Sequence, residues 1–306
     1  MTTIVRDFRT EDAGALVRLR RVCTPYLVTT EEAVLFEVAT AHPAKKYRLL
    51  IAEEDGEIIG TARAGIVHDS SEPGQSSVFP EVHPDHWGRG AGSLMLRTAE
   101  EHLAAEDVRS IYAWVLDEPS SRAFAALHGY RPTRPAHFQR LDLAHGTLPG
   151  LPPLPAGAEL RTAADYADDP RPLFEADAEA TADVPDDIGL AFDDYEDWLN
   201  HTWNHPLLDR ALSTVVAVDG EVAAYTLVQT DGRTRYWSGM TGTPRAHRGR
   251  GLAKLAKTDS LRRARTAGYT DAFTANDADN EPMLAVNRSF GYEICASHVR
   301  HVRTFD

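Results

Sequence analysis

Three landmarks of this sequence recur at nearly one spacing. Gly90 and Gly251, each closing a Gly-Arg-Gly loop, lie 161 residues apart. The Asp-Gly pairs ending at Gly56 and Gly220 lie 164 apart, and the Gly-Tyr pairs at Gly129 and Gly291 lie 162 apart. Near-equal offsets for a loop, a turn and a late glycine mark duplication of one folding unit. A chain of 306 residues built that way holds two domains, each with its own core. The stretch "AHGTLPGLPPLPAG", Ala144 to Gly157, has prolines and glycines that continue neither a helix nor a central strand, so it reads as a linker. The expected division is 1–143, a linker over 144–157, and 158–306.

Each copy shows the same order of elements. "TIVRDFR" reads as a strand and "TEDAGALVRLRRV" as a helix capped by Thr10, with a second helix over Glu31 to Thr40. "YRLLIAEEDGEIIGTARAGIV" reads as a hairpin with Asp55-Gly56 at its turn, and "STVVAVDGEVAAYTLVQ" repeats it. "SSVFPEV" and "RYWSGMTGT" are strands that lead into the Gly-Arg-Gly loops, and a helix follows each loop. Later come "SIYAWVL" and "DAFTA" as strands, then "SSRAFAAL" and "EPMLAVNRSF" as helices. Helices alternating with a mostly antiparallel sheet give an α/β (α+β) class, twice over.

Composition excludes several classes. A hydrophobic share of 42% suffices for packed cores. Cys23 and Cys295 cannot form a disulfide framework and read as thiols of a reducing, cytoplasmic setting. The start "MTTIVRDFRTEDAG" has charges where a secretory signal needs an apolar run, and no stretch matches a membrane helix. A net charge of −14 argues against a general nucleic-acid partner. The oligomeric state is not legible.

The charge is unevenly placed. From Asp165 to Asn200 thirteen acids face one base, Arg171; from Arg245 to Arg265 eight bases face one acid, Asp259. The acids, among them Asp183, Asp186, Asp187, Asp193, Asp194, Glu196 and Asp197, are interleaved with Phe174, Phe192, Tyr195 and Trp198. Acids beside aromatic faces suit a cationic amine, although such runs are more often a solvated surface. His201 and His205 share helical spacing but lack further ligands, so no metal site is assigned.

A strand, a Gly-Arg-Gly loop and a helix form an anion cradle. The first helical amides have no intrahelical partner, the helix dipole is positive there, and glycine lets the backbone approach a ligand closely. The motif is not a P-loop, because neither second glycine is followed by Lys-Ser/Thr. It is a poor dinucleotide fingerprint too: the first copy has Gly88-x-Gly90-x-Gly92 and the second stops at Ala253.

Arg248-x-x-Gly251-x-Ala253 resembles the Arg/Gln-x-x-Gly-x-Gly/Ala signature of the GNAT superfamily of acyl-CoA-dependent acetyltransferases. Val82-His83-Pro84 looks like that family's lead-in from strand to loop, and "NEPMLAVNRSFGY" resembles its late helix ending in Gly-Phe/Tyr. The likeness covers both halves. It implies two tandem GNAT-like domains, each with a mixed, mostly antiparallel sheet whose fourth and fifth strands splay apart. It also implies acetyl-CoA (coenzyme A) as cosubstrate. Its phosphates would lie on Arg248, Gly249, Arg250, Gly251, Leu252 and Ala253 in the second copy, and on Gly88, Arg89, Gly90, Ala91 and Gly92 in the first. Thr241, Thr243 and Val82 would flank the pantetheine, with Asn276 and Asn280 as further contacts.

Some positions depart from the pattern. The first copy has Trp87 in place of the signature Arg or Gln. Where the family often has a tyrosine to protonate the leaving thiolate, the copies have Ala125 and Asn287; of these only Asn287 can offer a hydrogen bond. For a base, the first copy offers Glu81 at the end of its fourth strand, and the second offers Tyr236 or an acid from the 165–197 segment. The reading is an N-acetyltransferase of a small, cationic primary amine, with the free amine attacking the thioester. Two rivals stay open: a regulatory protein that binds acyl-CoA without turnover, and a transferase drawing its acyl or aminoacyl group from a carrier or tRNA.

Overall fold

The computed structural model describes residues 2–184 and 194–305. Asp186, Asp187, Phe192 and Asp193 of the acidic segment lie outside them. The chain divides into two compact units, and the division does not simply follow chain order. The first unit comprises residues up to Ala136 together with the stretch from Ala296, and the second runs from His137 to Cys295 apart from a short segment outside the described residues.

The first unit begins with β1 (Thr3–Asp7), α1 (Ala13–Cys23) and α2 (Glu31–Thr40). The hairpin of β2 (Arg48–Glu54) and β3 (Glu57–Ile66) follows, then β4 (Gln75–Val82), α3 (Ala91–Leu103), β5 (Ser110–Leu116) and α4 (Pro119–Leu127). Asp55 and Gly56 have φ of 51° and 85°, and Asp219 and Gly220 have 51° and 89°. Two consecutive positive φ values are the hairpin turn whose twist matches its strands, which is why both hairpins use Asp-Gly. Thr30 caps α2 by accepting from the Ala33 amide. Thr10 caps nothing: it opens a short 3-10 turn (Thr10–Asp12), and the carboxylate of Asp12 accepts from the Arg9 amide ahead of α1.

β1, β2, β3 and β4 are antiparallel neighbours. β4 and β5 run parallel but pair only over Gln75–Ser77 and Ser110–Tyr112, after which they diverge. α3 buries Ala91, Met95, Leu96, Ala99 and Leu103 with Leu50, Ala62, Val78 and Ile111, giving this unit its core.

The last strand of the chain, β12 (Glu293–Thr304), pairs antiparallel with β5 from His298 to Thr304. The first unit's sheet is therefore completed by residues some 160 positions beyond Leu143. β6 (Arg131–Asp142) makes the reverse crossing, and from His137 onward it belongs to the second unit beside β11 (Asp271–Asp277).

The second unit repeats the plan with β7 (Ala158–Thr162), α5 (Arg171–Thr181), α6 (Tyr195–Trp198), β8 (Thr214–Val218), β9 (Glu221–Thr230) and β10 (Arg235–Gly242). α7 (Leu252–Thr266) and α8 (Glu281–Phe290) flank β11. β10 and β11 again pair over three residues, Arg235–Trp237 with Asp271–Phe273, and then part. At the fork Thr274 donates to the Ser238 carbonyl at 3.0 Å. β10 also carries a bulge: Ser238 faces Val228 and Thr241 faces Thr226, so one residue is extra between them. A bulge leaves part of the ladder open beside the fork.

The described aromatic residues of the acid-rich segment pack inward. Phe174, Trp198 and Trp203 are buried with Leu173, Val215 and Tyr225, and Tyr195 packs against them. These rings form core and not an open aromatic wall. Several acids have local structural duties: Asp165 accepts from the Thr162 amide, Asp169 from Arg171, and Asp194 caps α6 through the Asp197 amide.

Candidate active site

The second Gly-Arg-Gly loop connects the splayed end of β10 to α7. Gly249 and Gly251 both have φ of 74°, and a Cβ built at either meets nothing within 4 Å. That backbone is left-handed, and glycine adopts it without strain. Gly251 is the N-cap of α7 and supplies no side chain to the first-turn amides, so those amides face an open approach. Leu252 turns its side chain into the core while its amide begins the helix, and Ala253 keeps the first turn small.

Arg248 is braced at this mouth. Its Nε donates to the Thr243 carbonyl at 3.0 Å and its Nη2 to Asp183 at 2.6 Å. Arg245 pairs with the same carboxylate at 2.7 Å, and its amide donates to Glu179. The two guanidiniums hold Asp183 down to about 2, well below the usual carboxylate range. One acid of the long run thus sits on the two arginines that an incoming phosphate would meet. Arg250 lies beside His247 at 3.2 Å. The arrangement fits an anion: backbone donors, a left-handed glycine and two exposed arginines converge on one strand-to-helix step.

The first loop has the same backbone with less charge. Gly88 and Gly90 have φ of 73° and 93°, and Gly90 is the N-cap of α3. Trp87 Nε1 donates to the Val82 carbonyl at 2.8 Å, the same brace that Arg248 makes to Thr243. The arginine keeps guanidinium donors for an anion after bracing the loop, whereas the indole has none left. Arg89 donates to the Asp85 carbonyl at 2.8 Å. Ala91 is buried, and Gly92 lies against the Phe124 ring. A cleft of about 820 Å³ opens beside this loop, lined by Glu54, Arg89, Gly90, Leu94 and Arg97 with Thr2 and Thr3.

The proposed chemical groups of the second unit lie elsewhere. Tyr236 is fully buried, its hydroxyl 2.8 Å from Ser260 Oγ, and burial raises its pKa above the ordinary value. It belongs to the core with Leu261 and Phe290 and cannot act as a base in the cleft. Asn287 is likewise fully buried. Its Nδ2 donates to Gln139 at 2.8 Å and to Asn276 at 2.7 Å, and its Oδ1 accepts from Lys257 at 2.6 Å. With both amide hydrogens engaged it has none for a thiolate; it ties α8, β11, β6 and α7 together. Asn280 caps α8 through the Met283 amide. Thr241 Oγ1 lies 2.8 Å from Thr226 Oγ1, and Thr243 gives its carbonyl to Arg248.

Lys257 is a functional-looking residue that periodicity alone hides, since it occupies a core position of an otherwise basic helix. Burial lowers its pKa to about 7 from an ordinary 10.5. Between those values the unfolded chain binds the extra proton, so this group makes the fold more stable as pH climbs from 7 toward 10.5. Lys257→Met is expected to flatten that rise. Urea midpoints across the window check it, and an equal slope in wild type and variant contradicts it.

Comparison with known proteins settles the family. The acetyltransferase (GNAT) family model matches twice, over residues 14–130 and 173–292. The chain belongs to the GNAT acetyltransferase family. Among its relatives are mycothiol acetyltransferases: that of Nocardiopsis dassonvillei is 28% identical over 88% of this chain and 86% of the relative, and that of Clavibacter michiganensis is 30% identical over 84% and 83%. Among solved structures, a tandem GNAT protein from the clavulanic acid biosynthesis pathway has a TM-score of 0.75 at 23% identity, covering 99% of this chain and 98% of that one. A GCN5-related N-acetyltransferase from Sphaerobacter thermophilus has 0.72 at 23%, covering 99% and 95%. These structures share the fold. The GNAT chain is an N-acetyltransferase, and acetyl-CoA is its donor.

The two GNAT units differ where a base would stand. Gly242 precedes Gly251 by the same interval at which Glu81 precedes Gly90. A Cβ on Gly242 would collide with Tyr225 Oη and meet Ala180 Cβ at 2.6 Å, so the place of a carboxylate is filled by protein. Tyr225 in turn donates to Asp177 at 2.6 Å, and Trp198 Nε1 donates to the other oxygen at 2.8 Å. Burial raises the pKa of Asp177 despite these bonds. Gly242→Ala is therefore expected to destabilise the chain by about 1–3 kcal/mol through overpacking, read as a lowered urea midpoint. An unchanged midpoint would contradict this packing. Glu81, by contrast, reaches Arg20 at 3.7 Å and accepts from Thr24 at 3.1 Å. Among the described residues no group of three or more His, Cys, Asp or Glu could hold a metal ion, and no helix is long and apolar enough to cross a membrane.

Proposed function

We propose that this GNAT enzyme acetylates a small primary amine and that transfer takes place in the second unit. The observation that carries the reading is the second loop: left-handed glycines, open first-turn amides of α7, and Arg245 and Arg248 beside them. Those groups are suited to the phosphates of acetyl-CoA, and the fork between β10 and β11 offers backbone to its pantetheine arm. The donor supplies an activated acetyl group as a thioester. The amine nitrogen forms a bond to the acetyl carbon as the carbon–sulfur bond breaks, the nitrogen loses a proton, and the sulfur leaves as a thiol.

The acceptor arrives as an ammonium, and in this sense it is cationic. Acids of the 165–200 segment that serve the fold, with Asp165 and Asp194 accepting from backbone amides, Asp177 from Trp198 and Asp183 from Arg248, do not single out a polycation. Glu175 and Glu196 remain on the outside of α5 and α6 to draw an amine in. Because Gly242 leaves no carboxylate at the end of β10, the ammonium proton goes to water. The kcat/KM is then expected to rise tenfold per pH unit up to the acceptor's own pKa. Comparing acceptors of different amine pKa tests this: a midpoint that moves with the acceptor supports it, and one fixed by the enzyme contradicts it. The relatives named mycothiol acetyltransferases make an amine related to mycothiol a sensible first member of the panel.

A further inference from the structure

The first unit has a second concentration of chemistry that its loop does not explain. On the face of the sheet covered by α1 and α2, Arg63 stands opposite Phe79 and Thr61 opposite Glu81, so these four side chains share one side. Arg20 of α1 and Tyr47, just before β2, reach the same place. Arg20 is only 6% exposed. Five buried polar atoms converge here without a hydrogen-bond partner: Arg20 Nε and Nη2, Arg63 Nε, Tyr47 Oη and Glu81 Oε2. Buried polar groups are nearly always satisfied, and leaving one unmet is costly. Such a gathering of polar atoms without hydrogen bonds, from α1, β3, β4 and the residue before β2, points to a ligand site.

The inventory of atoms defines the ligand. Four of the five are donors and one is an acceptor. A simple anion would answer the donors and leave Glu81 Oε2 bare. A simple amine would answer Glu81 and leave the donors bare. The Arg20–Glu81 contact at 3.7 Å is too loose to be a paired fork, so each charge has capacity for a partner. Burial disfavours the charge on both arginines, and Glu81 and Glu37 lie close enough to oppose it, so the site holds two positive and two negative groups and suits a ligand of no net charge. An aromatic edge borders it: Arg63 lies 5.3 Å over Phe79, Phe79 meets Tyr112 edge-on at 5.9 Å, and all three are only partly buried.

We propose that this face of the first unit binds a small zwitterion, an amine that also bears a carboxylate. The carboxylate lies between Arg20, Arg63 and Tyr47, and the ammonium lies on Glu81. The inference goes beyond the function proposed above, since it concerns the first unit and requires no turnover.

Calorimetric titration of the full chain, without acetyl-CoA, tests it. The probes are free α-amino acids of increasing size, each beside its carboxamide, its decarboxylated amine and its N-acetyl derivative. At least one amino acid is expected to bind saturably, and each of its three derivatives to bind at least about tenfold more weakly, the worth of one charge-assisted bond. Tyr47→Phe, which removes one hydroxyl, is expected to weaken the amino acid several-fold at unchanged melting temperature. Glu81→Gln is expected to erase the discrimination against the N-acetyl derivative while keeping that against the carboxamide. The proposal is overturned if no amino acid binds, so that water alone satisfies these atoms, or if the decarboxylated amine binds as well as its parent. Failure of acetyl transfer in the second unit would leave this binding result untouched.

Discussion

Removal of the last eleven residues, Ala296 to Asp306, is expected to unfold the first unit although it lies mostly within the first 136 residues. β12 pairs with β5 through seven residues, His298 to Thr304. Each ladder bond is worth about 1 kcal/mol, and a whole domain only about 5–15 kcal/mol. The strand also contributes buried side chains. Arg300 and His301 are almost inaccessible, Arg300 lies 4.6 Å over Tyr112, and Arg303 binds both oxygens of Glu100 at 2.9 Å. Tyr26, on the segment after α1, loses its His298 partner. A cut at Leu143, made on the view that each copy is self-contained, removes the same strand. Circular dichroism and proteolysis of the 1–295 chain should show an unfolded first unit; a protease-resistant first unit with the full-length midpoint would refute the exchange of strands.

Gly251→Asp is expected to weaken acetyl-CoA binding at the second unit by at least about a hundredfold, about 2.7 kcal/mol. The substitution places a carboxylate at the N-cap of α7, beside the open amides and Arg248 proposed to hold the phosphates, and a negative charge there repels an anion. Aspartate tolerates the left-handed backbone better than most residues, so the loss comes from charge and occlusion more than from misfolding. Arg248→Ala is expected to act in the same direction by about tenfold, for one charge-assisted bond. Gly90→Asp should disturb only the weaker site, because Trp87 gives the first loop a brace without a guanidinium. Titration calorimetry separates these cases. Loss of the tight site in Gly90→Asp with retention in Gly251→Asp would reverse the assignment.

The features legible in the sequence are those with a local physical cause. The Asp-Gly turns, the Gly-Arg-Gly loops and the Pro-rich stretch each demand a backbone that few other residues adopt, so residue identity reveals them. Repetition then gave the fold. The exchange of β6 and β12 was not legible, because both strands alternate acceptably and nothing local states which neighbour a strand will take. Tyr236 was misplaced for a related reason. In "RYWSG" two adjacent aromatic residues point to opposite faces, and the sequence does not say which face is core. Asn287 was correctly placed on its helix, but its engagement depends on Lys257, Gln139 and Asn276, which come from three other elements. The acidic run is hard to read because composition counts charges without their partners. Asp183 meets two arginines and Asp177 lies in the core.

On the function proposed above, acetyl-CoA held at the second loop acetylates a small amine. Its most direct test follows free thiol release from acetyl-CoA over a panel of primary amines with the wild type, Gly90→Asp and Gly251→Asp. Release is expected with at least one amine, kept in Gly90→Asp and lost in Gly251→Asp. Release that survives Gly251→Asp but vanishes in Gly90→Asp, or no release with any amine, would contradict it.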